Sequence, residues 1–162
     1  MSDVKSVNKK VKEFLCDRWN GSKGDEENSW VVNYESVSIY LRIREIDWFT
    51  DDWDSTVIVE LSSIILFDVE CSNELFEHIA RTNGDSLFGA IFATASSWNE
   101  TKGYCDLVMN HRLMGNHLTK DELNLSIVAL GVVMEEFRKE YLEMFGGTPV
   151  NDVDIFGDEN GD

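Results

Sequence analysis

Basic residues are in short supply: 14 Lys and Arg stand against 31 Asp and Glu, a formal net charge of −17 with a pI near 4.4. A field of that sign repels phosphate, which argues against DNA, RNA and anionic membrane as partners. Long apolar runs are missing too. The most apolar stretch, Ile64 to Phe67, falls far short of the ~20 residues a spanning helix needs. Residues 1–19 hold no uninterrupted apolar segment and no small-residue cleavage site, so no secretory signal is expected. Cysteine is confined to Cys16, Cys71 and Cys105, an odd number without metal-type spacing, which reads as reduced thiols packed as small hydrophobes. Histidine is confined to His78, His111 and His117. The last two stand six apart and match no ligand spacing, and Cys105 and Asp106 do not complete one. Gly-x-Ser-x-Gly and a Gly-rich phosphate loop are both absent. Among 31 carboxylates, no pair is singled out by spacing as a general acid and base. The expectation is a cytoplasmic, non-enzymatic protein without metal or other cofactor.

What is present is globular. Hydrophobic residues make up 43% and charged residues 28%, which argues against wholesale disorder. A chain of 162 residues suits one domain with an ordinary core. Val4, Val7, Val11, Phe14, Leu15, Arg18 and Trp19 recur at helical spacing, with Lys5, Lys9, Lys10 and Lys12 on the remaining arc. Asn20-Gly21-Ser22-Lys23-Gly24 ends that helix in a polar loop. Ser29 to Tyr34 reads as a strand and Glu35-Ser36 as a hairpin turn. Val37, Ile39, Leu41 and Ile43 then alternate with Ser38, Tyr40, Arg42 and Arg44, a strand with one buried and one wet face. Thr56 to Val69 is a further strand, with Ser62-Ser63 marking a bulge or bend.

The second half starts with a helix. Ser72 is a good N-cap, Glu74 suits the positive dipole end, and Asn83-Gly84 is the expected stop. Leu87 to Ala95 and Tyr104 to Leu113 read as two strands joined through a loop in which Gly103 takes positive φ. Thr119 with Glu122 forms a capping box, flanked by the staple pair Leu118 and Leu123. Leu123, Ile127, Leu130, Met134, Phe137 and Tyr141 continue the stripe, so a helix from Lys120 to Phe145, about 39 Å long, can cross a whole sheet. Gly146-Gly147 stops it and Pro149, the single proline, prevents resumption. The order α-β-β-β-α-β-β-α with short turns predicts an α+β two-layer domain over residues 1–147, its five-stranded antiparallel sheet covered by helices. Residues 148–162 read as a disordered acidic tail.

Two surface groups are candidate partner-binding residues. Trp48, Phe49 and Trp53 bring large apolar groups to one acidic loop, and aromatics are favoured interface anchors. Tyr40, Arg42 and Arg44 share the wet face of one strand, where two guanidinium groups beside an aromatic can grip a carboxylate-bearing or extended peptide. Ordinary pairing of those arginines with acids across the sheet is the plainer expectation. Met109, Met114, Met134 and Met144 are expected as core filler.

The segment from Glu74 to Gly147 resembles the YbjN family, which shares its fold with type III secretion chaperones. The residues that carry the resemblance are the helix from Glu74 to Asn83, the strand opening Leu87-Phe88-Gly89-Ala90, and His111-Arg112-Leu113 leading into Leu118 to Leu123. The helix ending Met144-Phe145-Gly146-Gly147 completes the set. The resemblance implies a curved antiparallel sheet with helices against it, a homodimer and no catalytic residues. Related chaperones hold a partner segment along their surface, and many are acidic. Their dimers commonly use the helix that here spans Asn73 to Asn83, so Leu75, Phe76 and Ile79 are candidate dimer-interface residues, divided between the sheet and a symmetry mate. The Trp- and Asp-rich loop from Asp47 to Ser55 and the acidic tail depart from the family pattern. The function expected is a protein-binding module, chaperone-like or regulatory, that takes a protein or peptide client. The alternative class is a small-ligand-binding protein or an enzyme with an unrecognised pocket.

Overall fold

A computed structural model describes residues 3–46, 56–86, 88–96 and 103–150. Helix α1 (Val4–Arg18) is capped by Asp3, whose carboxylate accepts the Ser6 N–H at 2.7 Å. Val7, Val11 and Leu15 lie one turn apart and are fully buried, which leaves the lysines on the far side of the helix. A two-residue strand, β1 (Ser22–Lys23), follows, and then the hairpin of β2 (Ser29–Tyr34) and β3 (Val37–Ile46). The Glu35-Ser36 turn closes that hairpin between paired Tyr34 and Val37, with Glu35 at φ 50°. Strand β4 (Thr56–Glu70) is the longest and lies in the middle of the sheet.

Helix α2 (Asn73–Asp85) begins at Ser72, whose hydroxyl accepts the Leu75 N–H at 3.1 Å. After it come β5 (Ala90–Ala95), β6 (Tyr104–Met114) and a 3-10 turn from Gly115 to His117. Helix α3 (Lys120–Phe145) carries the full capping box. Thr119 Oγ1 accepts the Glu122 N–H at 3.2 Å, and Glu122 Oε2 accepts the Thr119 N–H. A last short strand, β7 (Thr148–Pro149), ends the described chain.

The sheet is wholly antiparallel, in the order β1-β2-β3-β4-β6-β5, with β7 paired to β4. The α+β two-layer architecture and three helices agree with the sequence, but among the described residues the strands number seven rather than five. The two additional strands have two residues each, too few for any alternation to register. One of them, β7, lies beyond residue 147, where the domain was expected to end, and pairs with Leu66 and Phe67.

Three local expectations need correcting. The register shifts in β4 fall between Ile64 and Leu66 and between Leu66 and Val69, not at Ser62-Ser63. Ser62 and Ser63 pair in register with Asn110 and Met109, and the buried Ser63 hydroxyl donates to Ser38 O at 2.8 Å. The bulge sits instead where Asp68 takes φ 51°. Helix α2 does not stop at Asn83-Gly84, because the Asn83 side chain is engaged elsewhere: it accepts the Ile91 N–H at 2.7 Å and donates to Ile91 O at 2.9 Å. Strand β5 starts at Ala90 rather than residue 87, since Gly89 turns the chain at φ 68°.

The core lies between the sheet and the three helices. Leu123, Ile127, Leu130, Met134 and Tyr141 of α3 are fully buried, packed with Ile39, Leu41, Val59, Leu61 and Leu107 from the sheet. Helix α3 touches β2, β3, β4, β6 and β7, so it does cross the sheet. Burying one such Leu or Ile side chain contributes roughly 1.5–3 kcal/mol. Of the four methionines expected as filler, Met109 and Met134 are in the core, whereas Met114 and Met144 are about half exposed. Each occupies the outward position of its element.

Candidate functional site: the sheet face opposite the helices

Alternation along β3 turns Val37, Ile39, Leu41 and Ile43 to the helices and Ser38, Tyr40, Arg42 and Arg44 away from them. Register carries that outward face across the sheet. Arg42 stands opposite Glu60, and Glu60 stands opposite Arg112. Tyr40 is paired with Ser62 and Ser62 with Asn110, while Arg44 is paired with Ile58 and Ile58 with Met114. Further along, Phe92 stands opposite Val108. Because cross-strand partners point to the same side, these residues share one side of the sheet, where Ile58 is buried between Arg44 and Met114.

Glu60 is its electrostatic centre. The carboxylate accepts from Arg44 Nε at 3.2 Å and Nη2 at 3.4 Å on one side, and from Arg112 Nε at 2.9 Å on the other. Its side chain is only 13% exposed. Burial pushes the Glu60 carboxyl up, but the hydrogen bonds from Arg44, Arg112 and Asn110 outweigh that and hold it below the usual range. Arg42 leans away to Glu26, 2.9 Å distant, with both side chains more than half exposed. The two β3 arginines are therefore paired with acids, the plainer of the two expectations. Around this network Tyr40, Phe92 and Met114 are large apolar groups left 38–49% exposed. Arginine and aromatic side chains are the commonest anchors of protein interfaces.

Sequence reasoning reached Tyr40, Arg42 and Arg44 but missed Glu60, Arg112, Phe92 and Met114. Glu60 was one acid among many, and only the register of three strands shows its role. Trp48, Phe49 and Trp53 lie outside the described residues. Of the three residues assigned to a dimer contact, Leu75 and Ile79 are buried against the protein's own core, and Phe76 is 46% exposed. Phe76 alone is available to another molecule.

Two concavities lie away from this face. One of about 200 Å³ is lined by Glu74, Glu77, His78, Arg81 and Met144, beside the 3.0 Å contact of His78 Nε2 with Glu140 Oε1. Another, of about 270 Å³, is lined by Arg18, Asp121, Asn124, Leu125 and Val128. Small-molecule sites start at about 300 Å³ and enclose most of their ligand. Among the described residues no three His, Cys, Asp or Glu side chains are grouped to hold a metal ion, and no helix is long and apolar enough to cross a membrane.

Comparison with solved structures settles the fold. The crystal structure of YbjN from E. coli, described as a candidate transcription regulator, superposes with a TM-score of 0.57 over 91% of this chain and 96% of that one, at 13% sequence identity. The fold is YbjN-like. The family resemblance drawn from Glu74 to Gly147 thus holds for the architecture, and the structural likeness extends well beyond that segment, over 91% of the chain. No protein-family model and no curated protein matches the chain in sequence.

Proposed function

We propose that this protein is a non-enzymatic binding module, chaperone-like or regulatory, that holds a segment of a partner protein on the sheet face turned away from its helices. One observation carries the reading: among the described residues, the three helices pack on one side of the sheet, and the other side presents Tyr40, Phe92 and Met114 around the Arg44–Glu60–Arg112 network. A net charge of −17 keeps such a surface soluble and attracts a basic or unfolded client over long range. The description of E. coli YbjN as a candidate transcription regulator fits an adaptor that works through protein contact. Cytoplasmic residence and a homodimer belong to the same reading, with interface residues other than the buried Leu75 and Ile79.

The test is affinity capture from the native host in low and high salt, with wild type beside a variant carrying Tyr40→Ala, Phe92→Ser and Arg112→Glu. A single dominant polypeptide, retained by wild type at low salt and lost both at high salt and from the folded variant, is the expected result. Equal retention by the two proteins overturns the assignment of this face. A co-purified metabolite with no protein partner overturns the function.

A further inference from the structure

We infer that a second copy of this chain packs on the outer side of α3, helix against helix and antiparallel. This deepens the homodimer of the reading above by naming its surface, and rests on that part of the reading alone.

From Leu123 to Met134 helix α3 carries no charged residue. A helix that is apolar on every side belongs in an interior. Here only one side is buried. Leu123, Ile127, Leu130, Met134 and Tyr141 face the core. On the other side Leu125 is 70% exposed, more than any other large hydrophobic residue described, and Val132 is 42% exposed. Val128 lies half-buried between them. Asp121, Leu125, Val128, Val132, Glu135 and Lys139 alternate at spacings of four and three, the seam by which two helices wind together. It runs about 27 Å along the axis, apolar in the middle and charged at both ends.

Charge selects the occupant. The seam is acidic where the helix starts, at Asp121, and basic near its end, at Lys139. Both are exposed, and neither forms an ion pair within its own chain among the described residues. A two-fold axis at the level of Leu130 brings Val128 against Val132, Asp121 against Lys139 and Leu125 against Glu135 of the second copy, and each contact recurs by symmetry. A parallel pair sets Asp121 on Asp121 and Lys139 on Lys139, which repel. In the antiparallel pair Glu135 of the second copy arrives at the concavity lined by Arg18, Asp121, Asn124, Leu125 and Val128. Arg18 stands over the Trp19 ring at 5.3 Å and has no ion pair among the described residues. Asn124 is only 8% exposed, and its oxygen accepts the Trp19 indole N–H. Its own N–H groups have no partner among the described residues and are left to the concavity. An arriving carboxylate meets both donors. Within its own chain Glu135 accepts from Ser36 through one oxygen, at 3.1 Å, so the other is available. A seam this short lies at the small end of interfaces, and the dimer is therefore concentration-dependent.

The test is sedimentation velocity over a range of protein concentrations, in about 0.15 M salt to screen the repulsion between two acidic copies. Wild type is expected to pass from monomer to dimer as concentration rises. Leu125→Glu, at a side chain already mostly in solvent, weakens the dimer at least tenfold with the far-ultraviolet circular dichroism unchanged. Asp121→Lys and Lys139→Asp each weaken it too, because each sets like charges opposite one another. Mixing those two variants restores a dimer, since every lysine of one copy then faces an aspartate of the other. Should Leu125→Glu misfold, the mixture decides; should a charge variant misfold, Leu125→Glu decides. A monomer at every concentration overturns this surface and the homodimer together. A wild-type dimer indifferent to Leu125→Glu overturns the surface and leaves a homodimer through other residues standing. Charge variants that weaken the dimer without recovery on mixing overturn the antiparallel register. A monomer that loses a captured foreign polypeptide on Leu125→Glu also overturns the inference, because the seam then serves another protein. Client capture by the sheet face is judged separately, by the sheet-face variant.

Discussion

Phe88 and His111 stack face to face, their ring centroids 3.9 Å apart and their planes inclined by 23°. Burial of the imidazole holds its pKa below the ordinary histidine value, and the Glu122 carboxylate only partly counters this. The folded state therefore prefers neutral His111, while the unfolded chain takes up a proton near pH 6.5. Stability is expected to be complete above that pH and to fall as pH drops through it towards the lower folded value. His111→Phe keeps the stack and removes the titration. Urea midpoints measured at pH 7.5 and 5.5 should fall clearly in wild type and less in the variant. Equal falls would reject the assignment.

Glu60 titrates with the opposite chemistry but the same direction of loss. Its carboxylate is favoured in the folded state, so its contribution is present above the ordinary glutamate range and disappears as pH falls through the lower folded value. Glu60→Gln removes this contribution and leaves Arg44 and Arg112 facing each other without an acid. A loss of about 1–2 kcal/mol at pH 7 is expected, because the pairs are partly exposed. Arg44→Ala and Arg112→Ala should cost less individually and combine non-additively, since they share one acceptor. A double-mutant cycle by chemical denaturation measures this, and strict additivity would show that the network does not act as a unit.

Gly131 lies inside α3, where glycine ordinarily costs about 1 kcal/mol relative to alanine. Its use is explained by Tyr34: a Cβ at residue 131 would come within 2.3 Å of the Tyr34 ring. That ring lies 6.3 Å from the ring of Trp19, whose indole N–H donates to Asn124 Oδ1 at 2.8 Å. Gly131→Ala is thus expected to destabilise the protein by about 1–3 kcal/mol despite better helix propensity. Tyr34→Leu should restore part of the loss. Thermal unfolding of the two single variants and the pair tests it, and a more stable Gly131→Ala protein would refute the close packing.

The parts of this fold that were legible in the sequence are those fixed by local chemistry. Thr119 and Glu122 mark the start of α3 to the residue, because a capping box is satisfied within one turn. The alternation of Val37 to Arg44 likewise decides which side chains of β3 are buried. Long-range pairing decided the rest. Asn83-Gly84 looked like a helix stop, but Asn83 bonds Ile91, eight residues on, and the helix continues. Likewise, nothing near Ser22 or Thr148 announces a strand; each becomes one through a neighbour elsewhere in the chain. The candidate site shows the same division. Tyr40, Arg42 and Arg44 were legible from alternation, whereas Glu60 gains its role only when β3 and β6 flank β4 in register.

The three thiols should differ sharply in reactivity, although the sequence presents them alike. Cys16 is exposed on α1, Cys71 is half-buried before α2, and Cys105 is buried in β6. Burial, the hydrogen-bonded Cys71 thiol and the Asp106 charge together push the Cys105 thiol up to about 12. Alkylation requires the thiolate, so at pH 8 Cys105 is both inaccessible and protonated in the folded protein. Iodoacetamide under native conditions should modify Cys16 first, Cys71 more slowly, and Cys105 only as the β4–β6 pairing opens. Mass spectrometry of timed digests gives the order, and mild urea should accelerate Cys105 far more than Cys16. Replacement by serine tests the same environment by another route. Cys105→Ser puts a hydroxyl among Val69, Leu107 and the other core residues, costing about 1–3 kcal/mol if it finds no partner, whereas Cys16→Ser should be neutral. Early modification of Cys105 in native buffer would mean that the β4–β6 pairing opens readily, and that the central strand pair is not the rigid support which the surface around Glu60 requires.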